Sequence, residues 1–308
     1  ATPSVTDTAT PSSTATPSIT TTPSPSPSPP TVFTGLQQQV MHTESSWLPN
    51  QLVIDPTAGL TLVASNSSSL SAFAAIPGQP TFADDSTGGA YGVCGDTANN
   101  LFLSYPQAGA IGRLDYDPVA NANILVIVVN VTNPRGIVSV GDTMIVALGD
   151  GGFMTVAIGA SSPSVLATFN DSRLAGASGL ACWLVQRCAI ATMQGSSSSL
   201  WLLAYDSVAA SYNLTRMADV DDLVYGVALH PTIPDAVLVT RRVHGDVLVL
   251  TPPPVGGQSW AVSMRIVYSP TGFASPFGIA VEQNAATSLI IAEQGSHTLA
   301  NYTLPVLL

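Results

Sequence analysis

From Val32 onward, apolar and polar positions follow one recurring order: a glycine, three or so β-forming residues, a turn, a second apolar run, a small polar turn and a third apolar run. Apolar runs bounded by Gly, Asn, Asp and Ser read as β-strands. The order is clearest in Pro276 to Glu282 followed by Ser288 to Leu299. It returns at Tyr225 to Leu229 with Ala236 to Thr240 and Asp246 to Leu250, and at Gly179 to Trp183 with Cys188 to Met193 and Leu200 to Tyr205. Further upstream lie Arg135 to Val138 with Thr143 to Leu148 and Phe153 to Ile158, and Tyr91 to Cys94 with Asn100 to Tyr105 and Ile111 to Tyr116. A first copy, Leu52 to Asp55 with Leu60 to Ser65 and Leu70 to Phe73, has Gln51 where the others have glycine.

The glycines at 92, 136, 179, 226 and 278 are 44, 43, 47 and 52 residues apart, the length of one four-stranded blade. The pattern predicts an all-β chain folded as a six-bladed β-propeller over residues 32–308. A β-sandwich or β-helix is the rival, but sandwiches do not repeat a Gly-headed phrase at constant spacing. Asn123 to Val129, Val165 to Phe169, Tyr212 to Met217 and Met264 to Tyr268 are candidate outer strands. The last copy runs out of chain after three strands. Val32 to His42 is a spare β-capable piece that either closes this last blade or docks on a neighbouring molecule. The phrase formed by Pro276 to Glu282 and Ser288 to Leu299 resembles an NHL repeat, and that resemblance also implies a propeller.

Residues 1–31 are a different material. Eight Pro, seven Ser and ten Thr fill this segment, together with only Ala, Val, Asp and Ile, so it cannot bury a core. Thr-Pro-Ser recurs from Thr2, Thr10, Thr16 and Thr22 and passes into the Ser-Pro alternation of Ser24 to Pro29. Proline's fixed φ favours an extended polyproline-II-like tail. At about 3.1 Å per residue the 31 residues reach roughly 95 Å, against about 50 Å for the body. This composition resembles hydroxyproline-rich glycoproteins of algal and plant walls. The resemblance implies O-glycans on Thr2, Ser4, Thr10, Ser12, Thr16, Ser18, Thr22, Ser24, Ser26 and Ser28, and on Pro25, Pro27 and Pro29. An ordinary linker is the plainer alternative.

Composition narrows the partners. All eight cations are arginine, against 19 acids, for a net charge of -11, so no basic field is available for a phosphate backbone and nucleic acid is excluded. The longest apolar run, Ile124 to Val129 with its flanks, falls well short of the roughly 18–20 residues of a membrane span. Asn-x-Ser/Thr acceptors at Asn66, Asn130, Asn170, Asn213 and Asn301 are candidate N-glycosylation sites, four near a predicted turn or strand end and Asn213 on an outer strand. Cys182 and Cys188 flank a five-residue connection between two predicted antiparallel strands, within disulfide reach, with two buried thiols as the alternative. Cys94 is then odd and buried. Tail, acceptors and bridge agree on a secreted, extracellular protein.

No G-x-S-x-G, H-E-x-x-H, C-x-x-C or P-loop occurs, and Gly149 to Gly152 reads as a hairpin turn rather than a phosphate loop. Four residues after each blade glycine stand Asp55, Asp96, Val140, Trp183, His230 and Glu282. Asp55, Asp96 and Glu282 with His230 offer oxygen and nitrogen ligands for Ca²⁺ or Zn²⁺, as in some six-bladed propeller lactonases and lyases. Turn chemistry explains the same residues, since Asp55-Pro56 and His230-Pro231 open turns and Val140 and Trp183 interrupt the ring. His42, His244 and His297 have no partner at ligand spacing, and Arg241-Arg242 reads as a solvated or glycan-contacting pair. No cofactor is implied, and covalent glycans are expected. The features are best joined in a secreted structural glycoprotein, not an enzyme, that assembles with copies of itself through tail-to-propeller contacts. A stalked propeller binding a glycan or protein is the alternative, with a metal-dependent lactonase or lyase third.

Overall fold

The computed structural model describes residues 29–34, 36–43, 45, 48–55, 60–65, 69–74, 83–84, 89–98, 100–117, 122–159, 162–253, 260–268, 271–282 and 288–303. The O-glycan candidates other than Pro29 lie outside these residues, as does Asn66. The described chain enters through two strands, β1 (Thr31–Phe33) and β2 (Gln37–Thr43). It then winds through six sheets as antiparallel meanders. Blade 1 holds β3 (Pro49–Asp55), β4 (Leu60–Ser65), β5 (Ser69–Ala74) and β6 (Ala83–Asp84). Blade 2 holds β7 (Gly92–Gly95), β8 (Leu101–Tyr105), β9 (Ala110–Asp117) and β10 (Ala122–Asn130). Blade 3 is β11 (Pro134–Val140), β12 (Thr143–Leu148), β13 (Gly152–Ala157) and β14 (Ser164–Phe169). Blade 4 is β15 (Ala177–Leu184), β16 (Arg187–Gln194), β17 (Ser197–Asp206) and β18 (Ser211–Val220). Blade 5 is β19 (Val227–Leu229), β20 (Val237–Arg241), β21 (Asp246–Thr251) and β22 (Ala261–Ile266), and blade 6 is β23 (Pro276–Glu282), β24 (Ser288–Glu293) and β25 (Thr298–Thr303).

The innermost strands β3, β7, β11, β15, β19 and β23 pack in sequence and β23 returns to β3, so the sheets form a closed propeller. Each apolar cluster lies between two neighbouring blades. Leu238, Val249, Ile279 and Ile291 join blades 5 and 6, while Met41, Leu52, Val63 and Leu299 join blade 6 back to blade 1. Every sheet is therefore covered on both faces. That is why β12 reads as the near-continuous apolar run Met144 to Leu148, and β21 as Val247 to Leu250, rather than as an alternation.

The N-terminal strand piece divides where the sequence offers one continuous segment. Gln37–Thr43 lies antiparallel to β25 and supplies the fourth strand of blade 6, with Gln39 opposite Asn301. Val32 is not in that strand. Thr31–Phe33 pairs parallel with β22 instead, Val32 opposite Arg265, and adds a fifth strand to blade 5. The outer strand of blade 5 also starts earlier than the apolar pattern suggests, spanning Ala261–Ile266.

The recurring glycines have a steric cause. A Cβ at Gly92, Gly136, Gly179, Gly226 or Gly278 would stand between 2.1 and 2.7 Å from a backbone carbonyl oxygen of the next blade, namely that of Arg135, Ser178, Tyr225, Phe277 and Asn50 in turn. Innermost strands thus touch backbone to backbone around the axis, and only glycine leaves that space. In blades 2 and 5 a hydroxyl completes the contact. Ser104 Oγ accepts from Gly92 N at 2.8 Å and donates to Arg135 O at 2.6 Å, and Thr240 Oγ1 joins Gly226 N and Phe277 O at 3.0 Å each.

Candidate functional site

The central channel is a cavity of about 280 Å³ whose wall is built from the residues that follow each blade glycine. Leu52, Val93, Ile137, Leu180, Val227 and Ile279 lead each row, and the wall is aliphatic apart from Gln51, Ser139 and the two cysteines Cys94 and Cys182. Gln51, the one departure from glycine, crosses it. Its Nε2 donates to Ile137 O at 3.0 Å and its Oε1 accepts from Ile137 N at 3.1 Å, so a side chain of blade 1 binds the backbone of blade 3. Gly92 lies beneath this span, and a Cβ there would sit 2.6 Å from Gln51 Oε1.

At the exit mouth, where the innermost strands end, stand the residues four places after the glycines. Among the described residues no group of three or more His, Cys, Asp or Glu side chains is placed to hold a metal ion. Asp96 is engaged by its own turn, Oδ1 accepting from Ala98 N at 2.9 Å and Asn100 N at 2.8 Å, and Oδ2 from Asn100 Nδ2 at 2.7 Å. His230 closes a turn likewise: Nδ1 accepts from Thr232 N at 3.2 Å and Ile233 N at 2.9 Å, and burial pushes its pKa below the usual histidine value. Trp183 lies under the Arg187 guanidinium, 5.1 Å from the ring centroid. Glu282 is half-buried at the end of β23, and the side chain of Asp55 lies outside the described residues.

The entry mouth is chemically richer. It is formed by the residues one place before each glycine: Asn50, Tyr91, Arg135, Ser178, Tyr225 and Phe277. Tyr225 stacks on Phe277 at 3.9 Å between centroids, and Tyr91 meets Phe277 edge to face at 5.8 Å. The Arg135 guanidinium stands 5.4 Å over Tyr91, and Arg242, from the β20–β21 turn, stands 5.4 Å over Tyr225. Two cations thus cover an aromatic floor. Asn50 is fully buried beneath, donating to Ala90 O at 2.7 Å and accepting from Gln294 Nε2 at 2.8 Å.

The turn bearing Arg242 is held by Asp222. This buried carboxylate accepts from Leu223 N at 2.6 Å, Val243 N at 2.9 Å, His244 N at 2.7 Å and the His244 ring at 2.8 Å. Burial alone would raise its pKa, but those N–H groups together hold it below the ordinary carboxylate value. His244 accordingly has a ligand-range partner that its spacing did not reveal. Arg241 is not a solvated residue either. It is 8% exposed and forks onto the fully buried Asp246, with Nε–Oδ1 and Nη2–Oδ2 both at 2.6 Å, while Arg265 contacts Asp246 from β22 and Asp221 meets Arg241 at 2.9 Å. The partners come from three different segments, which local sequence cannot show.

Of the remaining candidates, Cys182 and Cys188 are joined by a disulfide across directly paired positions of β15 and β16, and Cys94 is a buried free thiol. Asn130, Asn170 and Asn213 are exposed. Asn130 and Asn170 line one open groove of about 720 Å³ between the rims of blades 2 and 3. Asn301 is not at a strand end. It is half-buried within β25, which is paired on one side with β24 and on the other with β2.

Structural comparison gives propellers. The chain resembles virginiamycin B lyase from Staphylococcus aureus at a TM-score of 0.57 and 10% identity, covering 88% of this chain and 99% of that one. It also resembles a gluconolactonase from Xanthomonas campestris at a TM-score of 0.64 and 13% identity, covering 88% and 90%. At these identities the likeness shows the fold, a β-propeller. No protein-family model matches the sequence, and no curated protein matches it.

Proposed function

We propose that this chain is a secreted structural glycoprotein, an NHL-like propeller that works by assembly with copies of itself rather than by catalysis. The observation that carries this reading is the use of its rim. β1 is added to the outer edge of blade 5 and β2 forms the outer edge of blade 6, so residues adjoining the Ser/Thr/Pro segment already bind by strand addition. Among the described residues the outer edge of blade 3 has no such cover. Its strand β14, Ser-Val-Leu-Ala-Thr-Phe, has no charge, and Val165 and Leu166 are 49% and 59% exposed. An uncharged open edge of this kind is a template for pairing with another chain. The Ser/Thr/Pro segment, with the reach to pass its own propeller, would join one subunit to the next, and its O-glycans and the surface N-glycans would keep a weakly charged surface soluble. The aliphatic channel wall and the commitment of Asp96 to its turn favour assembly over metal-dependent hydrolysis or elimination.

Electron microscopy and sedimentation of the full chain from secretory expression test this. Filaments or large assemblies are expected for the full chain, and their loss is expected on deleting residues 1–30 or in Val165→Lys. A full chain that stays monomeric at high concentration, or a deleted chain that still polymerises, would overturn it.

A further inference from the structure

The backbone that faces the channel axis is an open β-edge. Gln51 shows this directly: its amide binds both Ile137 N and Ile137 O, so these groups point away from the neighbouring strand β12. The ladder of β11 with β12 runs without a shift from Ile137 to Val140, and bonding alternates along an antiparallel pair, so Ser139 also turns its N–H and C=O to the axis. β15 repeats the arrangement in the next blade. Cys182 and Cys188 stand opposite each other with Cα atoms 4.0 Å apart, the close spacing of a pair that exchanges no ladder bonds. Cys182 therefore turns its own N–H and C=O inward, and so does Leu180 two residues earlier.

These edges line a cup. At its entry end the Gln51 side chain crosses the channel, and Tyr91, Tyr225 and Phe277 pack against one another beyond it. The deepest row, Leu52, Val93, Ile137, Leu180, Val227 and Ile279, is buried, while Ser139, Leu229 and Val281 are half-buried, so the cavity of about 280 Å³ opens toward the exit mouth. Among the described residues its lining carries no Asp, Glu, Arg or His.

We propose that this cup binds a small neutral carboxamide with a branched aliphatic body. The amide lies on the edges of β11 and β15 as the Gln51 amide lies on Ile137, its donor and acceptor side by side against the C=O and N–H of one residue. The aliphatic body fills the space between the Val, Leu and Ile side chains, and an apolar cavity of about 150 Å³ is already enough to take up benzene. A carboxylate or ammonium would enter without a counter-charge and lose its hydration. An alcohol offers a single oxygen in place of the amide's separate donor and acceptor. The channel shares no residue with the rim surfaces of the assembly reading, so either proposal can fail alone.

Titration of the full chain with isovaleramide, followed by NMR of its backbone amides, tests the site. Saturable shifts are expected at Ser139, Leu180 and Cys182, with isovalerate and isoamyl alcohol binding at least about tenfold more weakly, the loss of one hydrogen bond or the burial of an unpaired charge. Ala280→Leu enlarges a side chain of the lining and is expected to weaken isovaleramide about tenfold with unchanged circular dichroism. If that variant does not fold, Ala228→Leu takes its place. Gln51→Gly removes the resident amide and restores the residue that the other five blades carry, and it is expected to bind isovaleramide more tightly, with a shift at Ile137 that the unaltered chain lacks. The proposal is overturned if isovaleramide gives no saturable shift in the unaltered chain, if isovalerate or isoamyl alcohol binds as tightly, if the filled channel binds isovaleramide like the unaltered one, or if Gln51→Gly shows no shift at Ile137.

Discussion

Two buried titratable groups contribute to how this protein responds to acid, and they act in different windows. His230 accepts two backbone N–H groups through Nδ1, so protonation there breaks both bonds, and burial holds its pKa below the unfolded value of about 6.5. The unfolded chain therefore takes up the proton first as pH falls. Stability from this site is whole above about pH 6.5 and is lost progressively below it. Asp222 has a pKa below the unfolded aspartate value of about 3.9, so its contribution is whole above that pH and is lost as pH falls through the lower folded value. Thermal melts from pH 8 to 3 are expected to show two descending steps, and His230→Asn to remove the upper one while leaving the lower. A single step below pH 4 in the unaltered chain would refute the role given to His230. The glycines make a second residue-scale prediction. In Gly179→Ala the new Cβ meets Tyr225 O at 2.3 Å, so blades 4 and 5 must part, at about 1–3 kcal/mol read as a lowered denaturant midpoint with unchanged slope.

At the scale of strands and turns, the disulfide stiffens the hairpin that carries part of the channel wall. Cys182 and Cys188 close a short loop, for which chain entropy gives about 2 kcal/mol. Replacing both by alanine is expected to lower stability by about that amount, measured by chemical denaturation, and a reducing agent should affect the unaltered chain alone. Most strands were legible because sheets buried on both faces leave long apolar runs, and because backbone contact around the axis demands glycine at one register position. What the sequence could not reveal was edge assignment. Thr31–Phe33 and Gln37–Thr43 are both β-forming, and nothing local states that one joins β22 and the other β25. The entry mouth was hidden for a different reason. Its residues share a register position but no residue type, from Asn50 to Phe277, and Arg242 arrives from a turn outside that register. Four places after the glycine, Asp96 and His230 serve their own turns, while the richer chemistry stands one place before it.

For the whole molecule, the distribution of glycan acceptors follows from where the propeller leaves side chains free. Asn130 and Asn170 face an open groove at the rim, and Asn213 lies exposed on β18, the outer strand of blade 4. A glycan on any of these projects away from the sheets. Asn301 sits in a strand bonded on both sides, between Leu299 and Ala300 before it and the fully buried Tyr302 after it, and its Oδ1 is buried. A branched sugar there has no exit without separating β25 from its neighbours. Mass spectrometry of peptides after enzymatic release of N-glycans is expected to find Asn130, Asn170 and Asn213 occupied and Asn301 empty in protein secreted from a eukaryotic host. Only 9% of the residues are charged, so the three occupied sites would carry much of the solubility that ions provide elsewhere. Substituting all three acceptors by glutamine should then lower the concentration at which the folded protein precipitates while leaving its thermal midpoint nearly unchanged. A large fall in the midpoint would mean that the sugars stabilise the blades themselves, and an occupied Asn301 would mean that blade 6 closes differently from the pairing of β2 with β25.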